Sequence, residues 1–377
     1  MRIVFLSNHA WGTPNKAGFH KLAEVCEKMG HQVLFITTGL SIFSFFRFDI
    51  RLRTGRRLNH LCRESPGLFS YLHFTLFHPH TLLIPILNRM TAWCVRRYDR
   101  YSFGEAEPLI RKADVIFYES CSAVCLLNKM KEFSPSAKHI YRASDIIIAM
   151  HSLHPEVFRI EQENIPRFDM ISIPNESMTG HFLSSSRLFC HMHGVDKEAY
   201  DRENRVPYPD GTRNCVFIGN SFFDSKFIKT VCDAFPLVQF HVIGPIPRNV
   251  RRKNLHYYGR MGYMDSLKYL KSASVGLYCI QHEKPEVMRS FGRSVKIIQY
   301  QYCLLPIVLP ELFRKNGDPD EFFFYNPEDR ESIVRAMQDA LDAPHRPEWR
   351  NSCRSWGEVA ESILSDLDSF NTERNTR

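Results

Sequence analysis

Ala113-Asp114-Val115-Ile116-Phe117-Tyr118-Glu119-Ser120 opens the most informative stretch of the chain, and Lys138-His139-Ile140-Tyr141-Arg142-Ala143-Ser144-Asp145 closes it. Between them lie a helical run, Ala123 to Lys131, and the turn Ser134-Pro135-Ser136-Ala137. Strand, helix and strand within 33 residues make one parallel crossover unit. Both strands end in polar residues. Open parallel sheets bind ligands at the carboxyl ends of their strands. Glu119 and Asp145 therefore stand where a small molecule would sit.

Outward from this unit the pattern repeats. Ile3–Ser7 reads as a buried strand and Asn8–Gly18 as a loop of turn formers. Phe19–Met29 reads as a helix closed by Gly30, and Gln32–Thr37 as the next strand. No Gly-x-Gly-x-x-Gly follows the first strand, so the usual dinucleotide fingerprint is missing. A second α/β series starts after a polar linker, Tyr200–Asn214. It has strands at Cys215–Ile218, Gln239–Ile243, Leu255–Tyr258, Val275–Tyr278 and Pro306–Leu309. Its helices lie at Ser225–Ala234, Asp265–Ser272 and Val295–Tyr302, and Ser332–Leu341 and Trp356–Phe370 read as closing helices. The fold class expected is α/β, with two Rossmann-like domains facing each other across a cleft: 1–196, then 197–355, with 356–377 as a terminal helix and tail.

Several of these residues carry a resemblance. Phe117-Tyr118-Glu119-Ser120 and Tyr141-Arg142-Ala143-Ser144-Asp145 resemble the GumK-like glucuronosyltransferases of bacterial exopolysaccharide assembly, glycosyltransferase family 70, of GT-B fold. His193-Gly194-Val195-Asp196, Phe240-His241-Val242-Ile243-Gly244 and Lys296-Ile297-Ile298-Gln299-Tyr300 extend it, more loosely and in the same order. It runs from Val4 to about Pro310 and is thinnest at 40–110 and 278–292. It implies an inverting enzyme moving glucuronate from a UDP-sugar to a polyprenyl-diphosphate-linked oligosaccharide, at the cytoplasmic face of the inner membrane. The alternatives are another UDP-hexose donor, a sugar-nucleotide epimerase of the same fold, and an inactive assembly scaffold.

Asp145, by its residues alone, is either a helix cap or a general base for a sugar hydroxyl. The resemblance matches it to the proposed base of the family. Lys296 stands near the start of its helix, where ammonium and helix dipole together would hold a diphosphate, and Gln299 shares its face. The matching pair contacts the donor nucleotide in the family, where Val295 is a methionine. Gly219, Asn220 and Ser221 form a small-residue βα turn open to phosphate. Arg260 and Met261 stand where GT-B proteins hold the base ring, although Arg260 replaces an acidic residue. Trp11, Glu119 and Glu176 are candidates for the acceptor sugar. A uronate carboxylate needs Arg or Lys, and Gln281–Arg293 offers His282, Lys284, Arg289 and Arg293 without singling one out.

Charge points to a further partner. The chain of 377 residues carries a net +8, and residues 1–112 alone hold 16 basic and 7 acidic side chains. Ile42, Phe43, Phe45, Phe46 and Phe48 adjoin Arg47, Arg51, Arg53, Arg56 and Arg57. Aromatics beside arginines suit an anionic membrane surface better than nucleic acid; the competing reading is a core helix followed by a solvated basic loop. Leu68–Leu87 is the nearest approach to a spanning run, but three histidines and two prolines interrupt it. Eleven scattered cysteines without a Cys-x-x-Cys pair indicate a reduced chain. His191 and His193 lack a third ligand, and Asp318-Pro319-Asp320 lies in a polar loop. No metal and no cofactor are expected.

Overall fold

The computed structural model describes all residues except 14, 15, 83, 151, 186, 221, 293, 345, 376 and 377, and leaves out the side chains of 149, 286, 290 and 368–375. Two compact units emerge, residues 1–192 with 356–377, and residues 193–355.

The first unit is built on eight strands: β1 (Arg2–Ser7), β2 (Gln32–Ser41), β3 (Leu61–Arg63), β4 (Leu68–Thr75), β5 (Val115–Glu119), β6 (Lys138–Arg142), β7 (Met170–Ile173) and β8 (Leu188–Cys190). Their order is β3-β4-β2-β1-β5-β6-β7-β8. All neighbours are parallel except β3 and β4. The central strands are buried along nearly their whole length, as expected of strands covered on both faces by crossover helices. Phe5 on β1 stacks on Phe117 of β5 at 4.7 Å and meets Phe35 and Phe19. Truncating Phe5 to alanine would cost about 3–5 kcal/mol. The carboxyl-terminal helix, Trp356–Asn375, packs against the helix Gly18–Lys28. Gly18 permits that approach: a Cβ there would come within 2.8 Å of the Trp356 ring.

The second unit holds six parallel strands: β9 (Asn214–Ile218), β10 (Gln239–Ile243), β11 (Leu255–Gly259), β12 (Val275–Leu277), β13 (Ile307–Pro310) and β14 (Phe322–Tyr325), in the order β11-β10-β9-β12-β13-β14. The helices Ser225–Ala234 and Val295–Tyr302 have the bounds read from sequence.

Three readings need correction. β6 ends at Arg142, so Asp145 stands in the turn beyond it. The helical run after β5 begins as a 3-10 turn, Ser122–Leu126, before the helix Leu127–Phe133. The stretch read as a linker from Tyr200 begins inside a helix, Lys197–Arg202, anchored by buried Tyr200. All eleven cysteines carry free thiols.

Candidate active site

In the first sheet the chain runs outward one way through β2 and the other way through β5, so the reversal lies between β1 and β5. That is where open α/β sheets bind ligands. The residues leaving β1 are Ser7, Asn8 and His9; those leaving β5 are Glu119 and Ser120. Glu119 is buried and accepts from Ser7 Oγ at 2.5 Å and from the Asn8 amide at 3.1 Å. His9 Nε2 lies 3.5 Å from Glu119 Oε1, and about half of its side chain remains exposed, 49%. The Asp145 amide donates to Ser120 Oγ at 3.0 Å, which ties the turn after β6 to the end of β5.

The charges reinforce this arrangement. Burial alone would push the Glu119 carboxyl upward, but the His9 charge and hydrogen bond, with Ser7 and Asn8, hold it below the usual carboxylate range. Burial likewise opposes a charge on His9. The attraction of Glu119 outweighs it, Asp145 adds to it, and the imidazole pKa is raised. The result is a histidine at the mouth of β1 whose charged form Glu119 and Asp145 favour. His9 was not singled out in the sequence. Its signal was its place, two residues past the first buried strand.

The Tyr-Arg-Ala-Ser-Asp block divides its labour. Tyr141 donates to Glu161 at 2.5 Å, and Glu161 also pairs with His181 at 3.0 Å. Arg142 is fully buried, has no carboxylate partner among the described residues, and donates to Ser172 Oγ at 2.8 Å and the His191 carbonyl at 2.6 Å. Burial lowers its pKa to about 10. His191 continues the chain to Asp366 at 2.9 Å, on the terminal helix. The first two residues of the block thus fix β6 against its neighbours, and the half-buried Asp145 is the one presented at the strand ends.

The second sheet reverses between β9 and β12. Lys296, on the helix Val295–Tyr302, brings its ammonium to this point. A Cβ on Gly219, just after β9, would stand 2.9 Å from Lys296 Nζ. The same ammonium lies 5.7 Å from the Phe217 ring and 6.0 Å from that of Tyr278, at the ends of β9 and β12. Gly244, after β10, packs so closely on Gly219 that a Cβ there would strike the Gly219 carbonyl at 1.7 Å. Ser294 caps the same helix, and its hydroxyl is buried without a partner among the described residues. A lysine, an open helix start and glycine backbone form a setting for phosphate. Gln299 lies half-buried one turn from Lys296. Asn220 and Arg260 are exposed, and Met261 packs against the core. Ser221 and Arg293 lie outside the described residues.

Residues 5–174 match the family model described as glucuronosyltransferase GumK, N-terminal domain. The UDP-glucuronate:glycolipid 2-beta-glucuronosyltransferase of Xanthomonas campestris pv. campestris is 29% identical over 96% of this chain and 88% of its own. By sequence the chain is therefore similar to the GumK glycosyltransferases. Its fold is GT-B. Trehalose-6-phosphate synthase OtsA matches it with a TM-score of 0.64 at 11% identity, covering 98% of this chain and 99% of that one. A UDP-forming α,α-trehalose-phosphate synthase from Burkholderia xenovorans matches with 0.63 at 11% identity, covering 98% and 100%. At such identity these two show the fold alone.

In this GumK-like chain the remaining candidates fall as follows. Trp11 is half-buried against His20 and Phe35, at 5.3 and 5.2 Å, with Lys16 over its ring. Glu176 is exposed just past β7. The basic run is split, which corrects its reading as one surface. Arg51 is drawn inward by Asp49 and by the Asn8, Thr38 and Gly39 carbonyls. Arg56 packs on Gly12 and pairs with Glu64 at 2.5 Å. Arg47, Arg53 and Arg57 stay exposed, as do Ile42, Phe43, Phe45, Phe46 and Phe48. These phenylalanines are therefore not core. The helix Pro85–Arg96, not singled out before, exposes Ile86, Met90 and Trp93 along one stripe, with Arg97 stacked 4.0 Å over Trp93. No described helix is long and apolar enough to cross a membrane.

Proposed function

We propose that the chain is an inverting β-glucuronosyltransferase using UDP-glucuronate and a lipid-diphosphate-linked oligosaccharide. The observation that carries this is the match along nearly the whole chain to the UDP-glucuronate:glycolipid enzyme. Asp145 accepts the proton of the acceptor hydroxyl as its oxygen attacks the anomeric carbon. The bond from that carbon to the phosphate oxygen breaks, and UDP leaves with the electron pair. Lys296, Gly219 and Ser294 meet the charge that gathers on the departing diphosphate; Gln299, Arg260 and Met261 serve the nucleoside side. Lysine and helix start supply positive charge that a divalent cation would otherwise bring, which supports a metal-independent reaction. Glu176 and Trp11 serve the acceptor sugar, with Glu119 acting through His9.

The same reading makes the enzyme peripheral, docked on the anionic cytoplasmic face of the inner membrane through the exposed aromatic segment. The deciding experiment is a donor screen with a membrane lipid extract, reading UDP release and a labelled lipid product. Transfer from UDP-glucuronate well above UDP-glucose is expected. Preference for another UDP-hexose would change the donor, and no release from any donor would leave a scaffold.

A further inference from the structure

A pocket of about 110 Å³ opens beside the carboxyl end of β2, within the first unit. Ser44, Arg47, Asp49, Arg51, His78 and His80 line it. Asn8 and Ser122, also on its wall, belong to the turns after β1 and β5. It therefore borders the residues that surround Glu119.

Its lining is a set of donors. Asp49 is the carboxylate among these residues, and Arg51 takes both of its oxygens, Nε at 3.0 and 3.1 Å and a terminal nitrogen at 2.6 Å. Arg51 spends its other hydrogens on backbone carbonyls and the Asn8 side-chain oxygen. Arg47 is placed differently: its guanidinium has no hydrogen bond or ion pair among the described residues and acts on both His78 and His80. Ser44 is buried; its oxygen accepts from the Ser41 amide at 3.1 Å, and its own proton has no acceptor among the described residues. Ser41 Oγ accepts from the Phe43 amide, which leaves its proton for His78 Nδ1 at 2.7 Å. Assigned from that chain, the imidazole hydrogen sits on Nε2 as a further donor. Burial and then neighbouring His80 and Arg51 hold His78 neutral, with a pKa of about 3.

What surrounds the pocket names its ligand. Ser44 and Arg47 alternate along the chain with exposed Phe43, Phe45, Phe46 and Phe48. The apolar segment lies on one side and the turns of β1 and β5 on the other. Apolar, anion-binding and sugar-facing parts thus follow one another as lipid, diphosphate and sugar do in a lipid-linked saccharide. We infer that this pocket holds a phosphate of the acceptor's diphosphate, with Arg47 as its ion-pair partner and Ser44 Oγ–H and His78 Nε2–H as neutral donors. The inference rests on the lipid-linked acceptor proposed above and adds the residues that recognise its charged link.

The test uses full-length protein saturated with UDP, so that the nucleotide site is filled. Inorganic pyrophosphate, farnesyl diphosphate and farnesol are titrated into the wild type, Arg47→Gln and Ser44→Ala. Arg47→Gln should weaken both diphosphates roughly tenfold or more and leave farnesol unchanged, with a smaller loss in Ser44→Ala. Equal pyrophosphate affinity in all three proteins overturns the inference. So does an Arg47→Gln protein that loses only its binding to phosphatidylglycerol vesicles, the mark of a headgroup contact. If the wild type transfers sugar to a lipid extract and Arg47→Gln keeps the acceptor KM, the pocket assignment falls and the function stands. If the wild type transfers nothing, the function falls, and the pyrophosphate titration still decides the pocket.

Discussion

The Lys296 ammonium rests against the backbone of Gly219, so closely that a Cβ on Gly219 would stand 2.9 Å from Nζ. Two residues 77 positions apart in sequence are thereby one feature, a cation laid over a glycine turn at the reversal of the second sheet. Lys296→Ala should weaken UDP binding by about 1.5–3 kcal/mol, the worth of a charge-assisted contact. Gly219→Ala should weaken it as well. The lysine tip can swing away from a new methyl group, but the Phe217 ring, 2.7 Å from that position, has less freedom. Calorimetry with UDP checks both, and unchanged affinity in Lys296→Ala removes the lysine from the site.

Asp145→Asn should keep UDP affinity and lose most turnover, since an amide cannot accept the proton. The His9–Glu119 pair predicts more. His9 has a raised pKa, so its charge is full below about 6.5 and is lost as pH climbs through the higher folded value. Glu119 has a lowered pKa, so its charge is lost only as pH falls through that lower value. The pair therefore stabilises the fold between these two limits. Glu119→Gln removes the support of His9 and should move the alkaline limb of the turnover profile to lower pH. A limb that stays in place would separate the pair from catalysis.

Four buried imidazoles predict the response of the fold to acid. His20, His73, His139 and His241 are buried, and burial lowers each to a pKa of about 4. The unfolded chain takes up protons near pH 6.5 that the folded chain refuses. Stability should therefore fall as pH drops from about 6.5 toward 4, by up to ~1.4 kcal/mol per pH unit for each group. His9 does not offset this, because its raised pKa places its proton difference above that window. Urea titrations at pH 7.5, 6 and 5 measure the slope; a midpoint constant across that range contradicts it.

Much of this was legible in the chain because parallel strands and their crossover helices are local signals. Gln239–Ile243 and Val295–Tyr302 are continuous apolar or amphipathic runs with clear ends, and they form as read. β4 was not legible. Its interior carries Ser70 and His73, both buried by tertiary packing that no local pattern encodes. Asp145 and Lys296 were found by motif. His9 and Ser44 were not, and Arg47 was read only as a membrane cation, since their meaning lies in what β5 and the turn at His78–His80 bring to them. The split among the arginines was equally hidden: Arg51 and Arg53 differ in nothing but the carbonyls and carboxylate that the fold sets beside one of them.

Metal independence is a separate expectation. On the proposed mechanism, in which Lys296 and the helix start meet the charge of the leaving group, activity should survive EDTA without added magnesium or manganese. Activity abolished by EDTA and restored by either ion would show that a cation shares that charge.

Membrane docking gives the last prediction. The exposed segment Ile42–Phe48 and the stripe Ile86, Met90 and Trp93 both offer apolar side chains for a lipid interface. Arg53 and Arg57 are exposed beside the first, and Arg97 is stacked on Trp93 in the second. Each exposed arginine near an anionic surface contributes about 1 kcal/mol, and salt screens it. Sedimentation with phosphatidylglycerol vesicles should show binding that weakens with salt. Arg53→Gln with Arg57→Gln should weaken it by roughly tenfold or more, the effect of two such charges. Arg51→Gln and Arg56→Gln should lower thermal stability instead, since those side chains tie the β1 turn to Asp49 and Glu64. Trp93→Ala tests the second element by itself. If it binds vesicles like the wild type, docking belongs to residues 41–57 alone; if the wild type ignores anionic vesicles at low salt, neither element is a membrane face.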